Sequence, residues 1–256
     1  MVRRDKSYKK VEIITLIYFS ISVITVCITR FIPFIFLTLL TFPISFKLLK
    51  GRLTAFPRIR RTNNMSISLV KGQKIDLTKG NAGLNKVVFG LGWDTNRYDG
   101  NADFDLDVSA FFTDDSGKVT GEQDFVFYGQ PQHPSGALIY SGDNRTGVGD
   151  GDDETMIVEL NKIPSNITKI SFSATIYDAE NRLQNFGMVD NSYIRAYNAD
   201  TNEELFKYEL NEDFSLETGV IAGELYRKNG EWKFNAVGSG YNGGLAAIGR
   251  NFGLDL

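Results

Sequence analysis

From residue 65 onward, short β-rich segments alternate with turn signals, and this rhythm limits what the chain can fold into more than any other feature. Segments 66–70, 73–77, 86–92, 104–112, 124–128, 137–140, 155–160, 169–177, 192–197, 204–210 and 219–227 are rich in β-branched and aromatic residues. The sharpest local signal is Asn229-Gly230, set between 224–228 and 231–237. A two-residue type I′ turn needs positive φ at both central positions, which Asn-Gly provides. About ten or more strands at such short spacing predict a sandwich or barrel-like architecture. Short helices are expected near 213–217 and 245–250.

Charge divides the chain in two. Residues 1–64 hold 12 Lys and Arg against two Asp and Glu, a charge of +10. The remaining 192 residues hold 16 against 29, a charge of −13. The acidic part has no cysteine, since Cys27 lies upstream, and its single histidine is His133. Disulfide scaffolds, iron–sulfur clusters and ordinary zinc sites are thereby excluded from it. What it holds in quantity is oxygen from Asp, Glu, Asn and glycine-rich backbone, a donor set for hard cations. Its negative charge argues against nucleic acid as a partner.

The first 64 residues form an apolar, basic-flanked extension. Stretches 13–29 and 31–46 carry no charge, with Arg30 and Pro33 at their junction. One continuous span would place Arg30 in mid-membrane, and two arms of about 22–25 Å fall short of a roughly 30 Å core. Two readings stand: a mis-assigned start ahead of Met65, or a membrane-associating segment.

Two acidic motifs carry the chemistry. In DFDLD, Asp103, Asp105 and Asp107 share one face of an extended strand while Phe104, Leu106 and Val108 take the other. Carboxylates about 6.5–7 Å apart along one face repel unless water or a cation neutralises them. Asp94, closing GLGWD, is placed to reach the same region. The second motif, SGDNRTGVGDGDDE, packs five carboxylates into the 12 residues from Asp143 to Glu154. Its length equals that of an EF-hand loop, but Arg145 occupies position three and Val148 the position-six glycine, and strands flank it. The plain alternative is a solvated acidic strand face for the first and a disordered acidic turn for the second. Asp178, at a strand end, is a third candidate carboxylate or simply a turn residue. Gly238 to Gly243 fits G-x-G-x-x-G, without the further strand and later acidic residue that a dinucleotide site requires. His133 lies in a turn-like Pro131-Gln-His-Pro134 stretch that predicts exposure, and no nucleophile–base combination is evident.

The segments MSISLVKGQKIDLTK, VFGLGWD, DFDLDVSAF, DFVFYG, SGDNRTGVGDGDDE, ITKISFSATIYDAENRLQNFG and GELYRKNGEWKFNAVGSGYNGGL together resemble the TerD family of tellurite-resistance and bacterial stress proteins. The resemblance covers residues 65–256. It implies an all-β fold, a calcium-binding β-sandwich with a few short helices, cytoplasmic or loosely membrane-associated. By the same resemblance, metal ligation falls on Asp143, Asn144, Gly149, Asp152, Asp153 and Glu154, and also on Asp94, Asp105, Asp107 and Asp178. The expected function is a Ca²⁺-dependent interaction module, not an enzyme, that docks on protein partners in a stress-response complex. The alternatives are a metal-dependent enzyme acting on phosphate-containing or nucleotide substrates, and a membrane-tethered scaffold. Membrane contact depends on residues 1–64 being genuine.

Overall fold

The computed structural model describes residues 66–97, 102–142, 144–149, 151–210 and 214–256. The extension 1–64 and the candidate ligand Asp143 lie outside the described residues. The strands are β1 (Ile67–Leu69), β2 (Lys74–Asp76), β3 (Lys86–Gly92), β4 (Leu106–Thr113), β5 (Phe125–Val126) and β6 (Leu138–Ser141), then β7 (Glu154–Glu159), β8 (Lys169–Ile176), β9 (Tyr193–Asn198), β10 (Glu204–Glu209), β11 (Gly219–Lys228) and β12 (Glu231–Tyr241). Two short α-helices accompany them among the described residues, α1 (Ala179–Arg182) and α2 (Gly244–Phe252), with three single-turn 3-10 segments besides. The strands form two six-stranded sheets, one ordered β1-β10-β9-β3-β7-β6 (sheet A) and the other β2-β12-β11-β8-β4-β5 (sheet B). Pairing is antiparallel throughout except β1 with β10.

Every segment expected to be a strand contains one. The Asn-Gly hairpin closes as expected, with φ of 56° at Asn229 and 79° at Gly230 and with Lys228 paired to Glu231. Alternation along each strand sends one set of side chains between the sheets. Phe89 from sheet A stacks on Phe172 from sheet B at 4.1 Å, and Phe206 from sheet A on Phe234 from sheet B at 4.2 Å. Four buried phenylalanines thus span the gap, each worth about 1.5–3 kcal/mol of apolar burial.

The outer face of sheet B is also covered, at one end. Phe111 from β4, Phe125 and Ile221 pack with Ile248, Phe252 and Leu254 of α2 and the tail beyond it. Phe111 stacks on Phe252 at 4.4 Å. This second layer makes β4 buried on both faces. The start of β4 and the extended residues just before it carry the DFDLD carboxylates.

Two expectations are corrected. The helix foreseen near 213–217 is absent from residues 214–217, which bend instead. The Glu217 carboxylate accepts the N–H groups of Ser215 and Leu216, so the backbone is satisfied without helical bonds. His133 is 4% exposed, not at the surface. It stacks on Phe112 at 4.1 Å, and its Nε2 faces Asp124 Oδ1 at 3.1 Å. A polar partner 9 residues away in sequence and an aromatic wall make its burial affordable.

Candidate functional site

The DFDLD strand delivers its carboxylates to one open groove. Asp105 and Asp107, 9% and 8% exposed, face a cleft of about 400 Å³ with Asp103, Tyr128, Arg145, Thr146, Tyr177 and Arg182 along its walls. Phe104, Leu106 and Val108 point into the core, as the period of two requires. A second cleft of about 410 Å³ adjoins the first through Asp107, Tyr128 and Tyr177. Its far wall is Asp178 and α1 on one side and Gly243 to Leu245, opening α2, on the other. Tyr128 and Tyr177 are about half exposed where the clefts meet.

Cationic groups from the chain enter this groove. The Arg182 guanidinium lies 3.5 Å from Asp105 Oδ2, donates to the Asp103 carbonyl at 3.4 Å and sits 5.1 Å from the Tyr177 ring centroid. Arg145 arrives from the acidic loop 141–154. Asp178, with φ of 51°, precedes α1 and accepts from Asn181 Nδ2 at 2.7 Å.

The acidic loop itself is anchored at Trp93, whose indole N–H donates to the Phe104 carbonyl at 3.1 Å. Asp153 accepts the Trp93 backbone N–H at 3.0 Å and the Asn144 side-chain amide at 2.6 Å. Asn144 Oδ1 in turn accepts the N–H groups of Thr146 and Gly147, folding the loop on itself. Gly147, with φ of 67°, approaches Trp93 so closely that a β-carbon there would fall 2.6 Å from the indole nitrogen. Burial is the largest influence on the Asp153 carboxyl and pushes its pKa up, with Asp152 and Asp94 adding repulsion. Asp94 accepts from Asn191 at 2.8 Å and faces Arg97 at 3.4 Å; it does not line the groove. Gly149, with φ of 151°, has open space around it.

Asp152 and Glu154 take two further places. Asp152 lies over Gly90 on the outer face of sheet A, gripped by Arg195 Nε at 2.7 Å and Nη2 at 3.1 Å. That bidentate pairing holds Arg195 charged above its usual range, and Glu204 supports its Nη1 at 2.9 Å. Burial and the Asp152 charge push the Tyr193 hydroxyl up. Glu154, 1% exposed, lies between the sheets. Its Oε2 accepts the Val108 backbone N–H at 2.6 Å and its Oε1 the Tyr140 hydroxyl at 2.7 Å, tying β7 to β4.

The described candidate residues therefore fall into four places rather than one. Asp105 and Asp107 share the groove with Asp178 at its far end, while Asp153, Asn144 and Asp94 surround the loop base. Asp152 joins Arg195, and Glu154 joins the two sheets. Among the described residues, no group of three or more His, Cys, Asp or Glu is gathered as a metal cage. The groove's donors are nevertheless all oxygen, which suits a hard cation and not a soft one. Sequence reasoning missed Arg182, Tyr128, Tyr177 and Arg195. Arg195 had one available signal, the alternation of β9 that puts it on the outer face opposite Gly90.

The fold is an acidic all-β sandwich whose open end gathers carboxylates beside a glycine-rich acidic loop. The TerD domain model matches residues 65–252, and the chain belongs to the TerD family. General stress protein 16U of Bacillus subtilis (strain 168) is 60% identical over 192 residues, spanning 75% of this chain and 100% of that protein. Tellurium resistance protein TerD of Serratia marcescens is 49% identical over 191 residues, spanning 75% of this chain and 99% of its own. A homologue of the telluride resistance protein TerD from Streptomyces coelicolor A3(2) shares the fold, with a TM-score of 0.54 at 23% identity over 64% of this chain and 94% of that one. This is a tellurite-resistance and stress-response family. Among the described residues, no helix is long and apolar enough to cross a membrane.

Proposed function

We propose that this protein binds Ca²⁺ at the DFDLD groove and, in that form, docks on protein partners of a cytoplasmic stress-response complex. The observation that carries this reading is the pair Asp105 and Asp107, each over nine-tenths withdrawn from water yet facing one open cleft. Two carboxylates in that setting repel, and a divalent cation relieves the repulsion while replacing lost hydration. Asp103 and Thr146 line the same cleft and would offer such a cation further oxygens. Calcium suits the site better than magnesium because it accepts six to eight oxygens in flexible geometry. The bound ion would supply positive charge beside the two half-exposed tyrosines, the kind of amphipathic side chain enriched at protein interfaces.

Calorimetry on the purified protein tests this. Calcium should bind more tightly than magnesium, and Asp105→Asn with Asp107→Asn should weaken it at least tenfold, about 1.4 kcal/mol. Magnesium binding as tight as calcium, or calcium binding untouched by the double substitution, overturns the assignment.

A further inference from the structure

The groove that would receive a cation already holds cationic side chains of the chain itself, Arg145 and Arg182, and Arg182 touches a carboxylate there. The Arg182 guanidinium reaches Asp105 Oδ2, the Asp103 carbonyl and the face of Tyr177 at once. Carboxylate and carbonyl oxygens satisfy a guanidinium and a divalent cation alike, so the two draw on the same atoms. The element that presents Arg182 is unusual in its own right. Helix α1 is a single turn, and both residues bounding it are left-handed without being glycine, Asp178 at φ 51° and Leu183 at φ 53°. Side-chain sterics disfavour that region, and such outliers persist where surrounding contacts over-determine them. Leu183 is 82% exposed, so its own packing does not reward the conformation. The anchoring comes from the other side of the turn, where Arg182 enters the groove and Gln184 donates to the Ala102 carbonyl at 2.8 Å.

We propose that Arg182 is a built-in counter-ion of this site. It neutralises Asp105 in the metal-free protein, competes with the incoming cation for the same oxygens, and gives up that position when the cation binds, which releases α1. The inference rests on the metal-binding reading above and adds a regulator to it. Affinity is then set lower than the carboxylates alone would give, and metal occupancy is reported at the surface by the turn from Asp178 to Leu183, along the wall of the second cleft.

Calcium binding to the full chain is measured by calorimetry for the wild type, Arg182→Gln and Arg182→Lys, with amide hydrogen exchange followed over residues 178–184 with and without calcium. The Gln variant should bind calcium about threefold more tightly or better, since it loses a partly buried opposing charge. The Lys variant should fall between, because the charge stays while the planar fork and the stacking on Tyr177 are lost. Calcium should speed exchange over 178–184 in the wild type. In the Gln variant, exchange should already be fast and change little. Wild-type binding with an equal or weaker Gln variant overturns the counter-ion while leaving the metal site standing. Tighter binding without any change in wild-type exchange means relief of repulsion only, and overturns displacement. No calcium binding by any of the three proteins removes the metal reading and this inference together. Melting curves in chelator confirm that the variants fold; if the Gln variant does not, the Lys variant carries the comparison.

Discussion

Replacing Glu154 by Gln separates a structural carboxylate from a metal-binding one. The side chain is 1% exposed and accepts two hydrogen bonds, 2.6 Å from the Val108 N–H and 2.7 Å from the Tyr140 hydroxyl. Bonds to an ionised acceptor are worth about 1.5–3 kcal/mol each, against roughly 0.5–1.5 for a neutral one. Gln keeps the shape and can keep both contacts if the Tyr140 hydroxyl turns to accept from the new amide. Converting two charged bonds to neutral ones then costs about 2 kcal/mol in total. For a domain of this size that lowers the melting temperature by about 4–8 °C. An opposing effect exists, because an ionised carboxylate out of water is costly and a neutral amide recovers part of that. The two short bonds from different sheets decide the sign here, since the carboxylate is solvated by fixed donors. Differential scanning calorimetry in excess chelator and again in calcium checks the claim. An unchanged or raised melting temperature in chelator would falsify the structural role. A loss seen only in calcium would return Glu154 to the metal ligands.

The other predictions are more local. Gly90→Ala should lower the melting temperature by several degrees, because its β-carbon would fall 2.2 Å from the Asp152 carboxyl carbon that Arg195 holds in place; overpacking of this kind typically costs about 1–3 kcal/mol, and an unaltered melt would mean Asp152 moves freely. Gly230→Ala should cost about 1 kcal/mol in urea titration, since φ there is 79° and Ala resists it; an equal midpoint would rule out the type I′ turn. Backbone hydrogen bonds from Ser215 and Leu216 hold the Glu217 carboxyl below its ordinary range. Its stabilising contribution is therefore complete above the unfolded value, roughly pH 4.3, and fades as pH falls through the lower folded value. Glu217→Gln should widen the urea-midpoint gap to wild type at pH 7 and close it near pH 3; a gap independent of pH would show that the charge is irrelevant. Saturating calcium at about a hundred times its dissociation constant should add about 2.7 kcal/mol to stability, and melts that do not respond to chelator would count against the proposed site.

What could be read from the sequence is what depends on near neighbours. Period-two alternation needs only residues two apart, so each strand, the inward Phe104, Leu106 and Val108, and the shared face of Asp105 and Asp107 were all legible. The hairpin at Asn229-Gly230 was legible because the turn's backbone demand falls on those two residues alone. The helix α2 was foreseen within two residues at its ends. The bend at 214–217 was not, because a side chain two residues ahead outcompetes helical bonding there. Long-range pairing was the greater obstacle. Asp152 and Glu154 stand two residues apart in one acidic run, yet Arg195 draws the first onto the outside of sheet A, while Val108 and Tyr140 hold the second between the sheets. His133 read as a surface residue because neither Phe112 nor Asp124 advertises itself locally as its partner. Arg182 carried no local signal, and only the folded chain brings it to Asp103 across 79 residues. Composition settled that oxygen would be the available donor. Which oxygens share a space was decided by how two sheets close on each other, because a carboxylate run is indifferent to direction until a partner of opposite charge or a free N–H fixes where each one turns.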